Sequence, residues 1–93
     1  MIDLKRLFII YQGRVQGVGF RYFVYRAAYI MKLTGHVRNM DNGNVEVEVQ
    51  GPDDHISVFL DTVKGGNGYS RIENYSMKEI PMKPNEKSFD ITY

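Results

Sequence analysis

Near the middle of the chain, Asp41-Asn42-Gly43-Asn44 separates a short mixed segment, His36 to Met40, from Val45-Glu46-Val47-Glu48-Val49-Gln50. Asn-Gly between two extended segments is the strongest short-range signal for a β-hairpin. The two segments are therefore expected to pair antiparallel, and whatever lies on either side must be arranged around that hairpin. The second segment alternates cleanly, so its valines face a core while Glu46, Glu48 and Gln50 face water. A sheet with one wet face follows.

Each flank supplies one strand and one helix. On the N-terminal side, Leu7-Phe8-Ile9-Ile10-Tyr11 is unbroken apolar, the pattern of a central strand covered on both sides or nearly so, and it ends at Gly13. Phe20, Val24, Ala27 and Met31 then recur at steps of four, three and four, with Phe23 and Ile30 widening the stripe into an amphipathic helix. That helix is expected to stop near Gly35 in a left-handed cap, after Lys32 in its last turn. On the C-terminal side, Gly51-Pro52-Asp53-Asp54 supplies acidic residues for a helix start, followed by Ile56, Phe59, Leu60 and Val63 at helical spacing. Gly65-Gly66-Asn67-Gly68 breaks this helix as a flexible loop. Arg71 to Ile80 is extended without clean alternation, which indicates an edge strand or a bulge. Pro81 to Lys87 reads as a loop, and Phe89, Ile91 and Tyr93 alternate with polar residues as a short final strand. The order closes most simply as an α+β, ferredoxin-like βαββαβ sandwich over residues 1–93: an antiparallel sheet with two helices on one face, plus a short C-terminal strand.

This fold hosts metal carriers, RNA binders, sensors and enzymes, so residues must decide the function. No cysteine is present, which excludes disulfides, thiolate metal sites and a cysteine nucleophile. Twelve basic and eleven acidic residues leave a net charge of +1, with no global field to draw nucleic acid or an acidic membrane. The apolar run Leu7–Tyr11 is too short for a signal peptide or a membrane span, so a cytoplasmic protein is expected. His36 and His55 lie far apart in sequence with no ligand-like partner, so no zinc site is expected. Tyr22, Tyr25 and Tyr29 recur at helical spacing as a half-buried flank. An RNA-recognition module shares the element order, but its base-stacking face would here carry Glu46 and Glu48, which repel phosphates.

The stretch GRVQGVGFRYF, Gly13 to Phe23, joins the first strand to the first helix. Amides at a helix start point outward unpaired, and the helix dipole adds partial positive charge there. Gly17 and Gly19 allow positive φ and remove side chains that would block an anion, while Arg21 offers a fork for two phosphate oxygens. From the glycines alone, a tight turn beside a solvated Arg21 is the simpler reading. The spacing is neither that of a Walker loop nor that of a dinucleotide site.

The specific string carries more. GRVQGVGFR resembles the signature of the acylphosphatase family, G-x-V-Q-G-V-x-F-R, with every fixed position filled, and GHVRNMDNGNVE, Gly35 to Glu46, resembles that family's G-x-V-R-N segment. The resemblance extends over essentially the whole chain, including GPDDHISVFLDTV and the terminal Tyr93. It implies a hydrolase that converts small acyl phosphates to carboxylate and inorganic phosphate. By the same resemblance Arg21 is the phosphate-binding arginine, the amides of Gln16, Gly17, Val18, Gly19, Phe20 and Arg21 form the phosphate cradle, and Asn39 positions the attacking water. A carboxylate is a good leaving group, so orienting water and neutralising phosphoryl charge suffices without a strong general acid. No metal or other cofactor is implied, nor any nucleic-acid or membrane partner, and a monomer is the simplest expectation. The chain departs from the family pattern at His36, where an aromatic is common, in the proline-free loop Gly65–Tyr69, and at Thr92, where a basic residue is common. The reading from another class is a regulatory domain that binds a phosphorylated metabolite through the Arg21 cradle without turnover, against which Asn39 argues.

Overall fold

A computed structural model describes residues 3–93. In chain order the elements are β1 (Leu4–Arg14), α1 (Phe20–Ile30), β2 (Thr34–Asn39), β3 (Val45–Pro52), α2 (Asp53–Gly65), β4 (Arg71–Ile80) and β5 (Phe89–Thr92). The sheet runs β4-β1-β3-β2-β5. The βαββαβ order and the C-terminal strand are those expected from the sequence. Arg71–Ile80 is indeed an edge strand, and its pairing with β1 shifts register between Gln12 and Gly13. The hairpin closes through Asp41–Gly43, where Met40 N–H donates to the Asn44 carbonyl at 2.8 Å and Gly43 takes the left-handed φ of 94°.

Leu7, Ile9 and Tyr11 from β1, Val37 from β2 and Val45, Val47 and Val49 from β3 form the buried floor of the core. Phe20, Val24 and Ala27 from α1 and Ile56, Phe59 and Val63 from α2 close it from above. Among the described residues, no helix is long and apolar enough to cross a membrane.

Four features differ from the sequence reading. First, β5 pairs with β2 in parallel, from Gly35 opposite Phe89 to Arg38 opposite Thr92, so the five-stranded sheet is mixed. The cause is topological. β4 ends opposite Arg6, at the end of the sheet where β2 begins, and the chain crosses there before running back in the direction of β2.

Second, α1 ends at Ile30 rather than near Gly35. Lys32 takes the left-handed position (φ 57°), Leu33 N–H donates to Ala28 O at 2.9 Å and Lys32 N–H to Tyr29 O at 3.0 Å, a Schellman closure without glycine. Gly35 lies in β2 with φ 138°, where a Cβ would collide with the Glu48 backbone carbonyl. Its glycine serves a close strand approach and not a helix cap.

Third, the face expected to be wet is covered. Glu46 and Gln50 are buried, and Arg6 is 2% exposed. Arg6 donates to Glu48 at 2.9 Å, to Gln50 at 3.0 Å and to both oxygens of Glu86 at 2.7 and 3.2 Å. The segment Pro81–Lys87 lies across this face, with Gln50 donating to the Lys83 carbonyl and accepting from the Lys83 N–H.

Fourth, His36 is not isolated. Its Nε2 lies 2.8 Å from Glu46 and 3.9 Å from Glu48, bringing three possible metal-ligand atoms within 4.8 Å of one another. Arg38 at 3.0 Å from Glu46 and Arg6 at 2.9 Å from Glu48 pair with the other oxygen of each of these carboxylates.

Candidate active site

The strand directions place the site. β1 and β2 both run antiparallel to β3, and β5 runs with β2, so β1, β2 and β5 finish at the same end of the sheet. That end gathers the loop after β1, Asn39 at the close of β2 and Tyr93 just beyond β5. Val15, Gly17, Gly19, Arg21, Tyr22, Asn39, Ile91 and Tyr93 line a cleft of about 190 Å³ there. Grooves of about 460 and 760 Å³ lie elsewhere, so the cleft is distinguished by its chemistry and not its size.

The loop has the backbone that a nest of N–H groups requires. Gly17 and Gly19 take φ of 73° and 75°, with Val18 between them outside the positive-φ region. A Cβ at Gly17 would meet nothing within 4 Å, so its glycine answers to conformation and not to crowding. Gly19 is the N-cap of α1, where no side chain caps the helix and no acidic residue occupies the first turn. α2, by contrast, carries Asp53 and Asp54 in its first turn. The N-terminal charge of α1 is thus left uncompensated by the protein. Among the described residues, the amides of Gln16, Gly17, Val18 and Gly19 donate to no protein acceptor.

Of the residues singled out from sequence, Arg21 and Asn39 meet in the cleft with Gly17 and Gly19. The Arg21 guanidinium carbon sits 5.0 Å from the centre of the Tyr93 ring, and no carboxylate pairs with it among the described residues. The Asn39 side-chain oxygen is buried and has no hydrogen-bond partner among the described residues. Gln16, Val18 and Phe20 are not among the residues that line the cleft. Phe20 is buried and Val18 packs against the core, while the Gln16 side-chain Nε2 donates to the carbonyls of Met40 and Asn44, each at 2.8 Å. That pair of bonds fastens the loop to the hairpin turn.

The family pattern matches residues 7–91, and its description is acylphosphatase. The chain belongs to the acylphosphatase family. It is 43% identical over 90 residues to an acylphosphatase of Geobacillus thermodenitrificans, covering 97% of this chain and 96% of that protein. An acylphosphatase of Clostridium beijerinckii is 45% identical over 84 residues, 90% of this chain and 93% of the relative. The crystal structure of acylphosphatase from Bacillus subtilis superposes with a TM-score of 0.91 at 41% identity, covering 98% of this chain and 100% of that one.

Two of the departures from the acylphosphatase pattern now have locations. His36 points away from the cleft, into the pairs with Glu46 and Glu48 on the far face of the sheet. Gly65–Tyr69 borders the loop after β1, since Asn67 Nδ2 donates to the Val18 carbonyl at 2.9 Å. Sequence reasoning missed both this contact and the stacking of Tyr93 on Arg21, because nothing local in either segment points to a partner so distant in the chain.

Proposed function

We propose that this acylphosphatase-family enzyme cleaves the carboxyl–phosphate bond of small acyl phosphates, with the amides of Gln16 to Arg21 and the Arg21 fork holding the phosphate and Asn39 positioning the water. The observation that carries the assignment is the meeting of Asn39 with Arg21, Gly17 and Gly19 in one cleft. A water held there by the Asn39 carboxamide keeps its oxygen free to attack phosphorus. The water oxygen bonds to phosphorus as the phosphorus–oxygen bond to the acyl group breaks. The carboxylate leaves with the bonding pair, and the water's proton passes to a phosphate oxygen of the substrate. Arg21 and the helix-start amides stabilise the charge spread over the equatorial oxygens. A carboxylate leaving group needs no protonation, which fits a cleft lined by neither His nor Asp nor Glu.

The test is hydrolysis of a simple aryl acyl phosphate by the protein and by Asn39→Ala, with phosphate binding and folding measured for both. The reading requires turnover by the parent and a variant that stays folded, binds phosphate and loses about 10²–10³-fold in kcat. Phosphate binding by both without turnover by either assigns the cradle to metabolite sensing instead.

A further inference from the structure

We propose that Asn67 is a positioning residue, which turns the Gly19 N–H into the anion cradle by holding the Val18 carbonyl on the opposite side. The proposal rests on the reading of Gln16–Arg21 as a phosphate cradle. In a trans peptide the carbonyl and the following N–H point in opposite directions, so whatever fixes the Val18 C=O also fixes the Gly19 N–H. Val18 O accepts from Asn67 Nδ2 at 2.9 Å, across 49 residues of sequence. Gly19, with its positive φ and no Cβ, has little intrinsic preference to hold this peptide plane. The other end of the same carboxamide is anchored, since Asn67 Oδ1 accepts from Tyr69 N–H at 3.0 Å and Ser70 N–H at 2.8 Å. Gly66 and Gly68 bend the loop at φ 75° and 90°, leaving Asn67 as the side chain between them that reaches the cradle. One amide therefore couples the turn before β4 to the peptide plane at the start of α1, and loop and cradle are a single unit.

Asn67→Ser separates the two halves of this link. A serine hydroxyl still accepts from the Ser70 N–H in the same turn, is neutral, and is too short to reach Val18. Isotope-labelled parent and variant are titrated with inorganic phosphate, the Gly19 amide is followed by NMR, and hydrolysis of an aryl acyl phosphate is measured. Loss of one positioned donor predicts phosphate affinity weakened about tenfold and KM raised to match, with kcat changed less than about twofold. It also predicts a lower NMR order parameter at the Gly19 amide of the phosphate-free variant, with the core amides of β1 and β3 unchanged. Phosphate affinity, KM and the Gly19 order parameter all equal to the parent overturn the proposal. If the parent's cradle amides do not respond to phosphate, the cradle reading fails, and the Gly19 order parameter still decides whether Asn67 holds the peptide plane. Should Asn67→Ser not fold, Asn67→Asp keeps the oxygen that accepts from Tyr69 and Ser70 and puts a charged oxygen in place of the donor. Its added charge is screened by repeating the titration in about 1 M salt.

Discussion

The covered face of the sheet and the end where β1 and β2 finish carry matched sets of side chains with opposite fates. On the covered face, the guanidinium of Arg6 is consumed by Glu48, Gln50 and Glu86, and the amide of Gln50 both donates to and accepts from Lys83. At the end of β1 and β2, Arg21 lies over an aromatic ring with no paired carboxylate, and the Asn39 oxygen is buried with no partner, among the described residues. Arginine and a carboxamide occur in both places, so residue type does not separate scaffold from site. What separates them is satisfaction: groups whose hydrogen bonds are complete hold the fold, and groups kept incomplete are available to a ligand. The two helix starts repeat the contrast, α2 with its own aspartates and α1 with none.

Exchanging the roles is the strongest way to break this comparison. Arg6→Met leaves Glu48 and Glu86 against each other under the Pro81–Lys87 segment, and removal of one partner from a buried ionic network costs about 3–5 kcal/mol. Urea denaturation should register that loss, while the folded fraction hydrolyses an aryl acyl phosphate within about twofold of the parent. Arg21→Lys is the mirror case. It keeps the charge and loses the planar fork, so kcat/KM should fall about 10²-fold, near 2.7 kcal/mol of transition-state stabilisation, with the denaturation midpoint unmoved. A catalytic defect in the first variant, or a stability defect without a catalytic one in the second, ends the distinction.

The meeting of Gly17, Gly19 and Arg21 with Asn39 was legible in the sequence because the glycines, the Arg and the helix start lie within Gly13 to Phe23, and the second block carries Asn39 on its own strand. The hairpin and α2 were legible for the same reason. Alternation along β3 correctly put Glu46, Glu48 and Gln50 on the face away from the valines, but alternation is silent on what covers that face. The cover comes from Glu86, 80 residues from Arg6, in a segment without periodicity. The parallel sense of β5 and the tether from Asn67 to Val18 are likewise long-range. The cap of α1 was misplaced because glycine fits both a left-handed cap and a crowded strand, and Gly35 satisfies the second demand.

The smallest effect separates the regions by pH. At Glu86, burial pushes the carboxyl up, but hydrogen bonds from Arg6 and Thr34 and the charges of Arg6 and Lys83 outweigh it, so the group titrates below the ordinary carboxylate range. At Glu46 burial likewise pushes the carboxyl up, and the hydrogen bonds and charges of His36 and Arg38 outweigh it, so this group too titrates below the ordinary range. Both carboxyls therefore bind protons less readily folded than unfolded. Their stabilisation is complete above the unfolded value of about 4.3 and is lost as pH falls through the lower folded values. Glu86→Gln should lower stability by about 1 kcal/mol at neutral pH and flatten its decline in acid, because the substituted amide has no proton to gain. Stability curves recorded from neutral pH into acid measure both effects. With no carboxylate beside Arg21, phosphate affinity should not follow Glu86, and its pH profile should superpose on the parent's wherever both proteins remain folded. An acid slope equal to the parent's would mean that the Arg6 network does not hold the Glu86 charge in the fold.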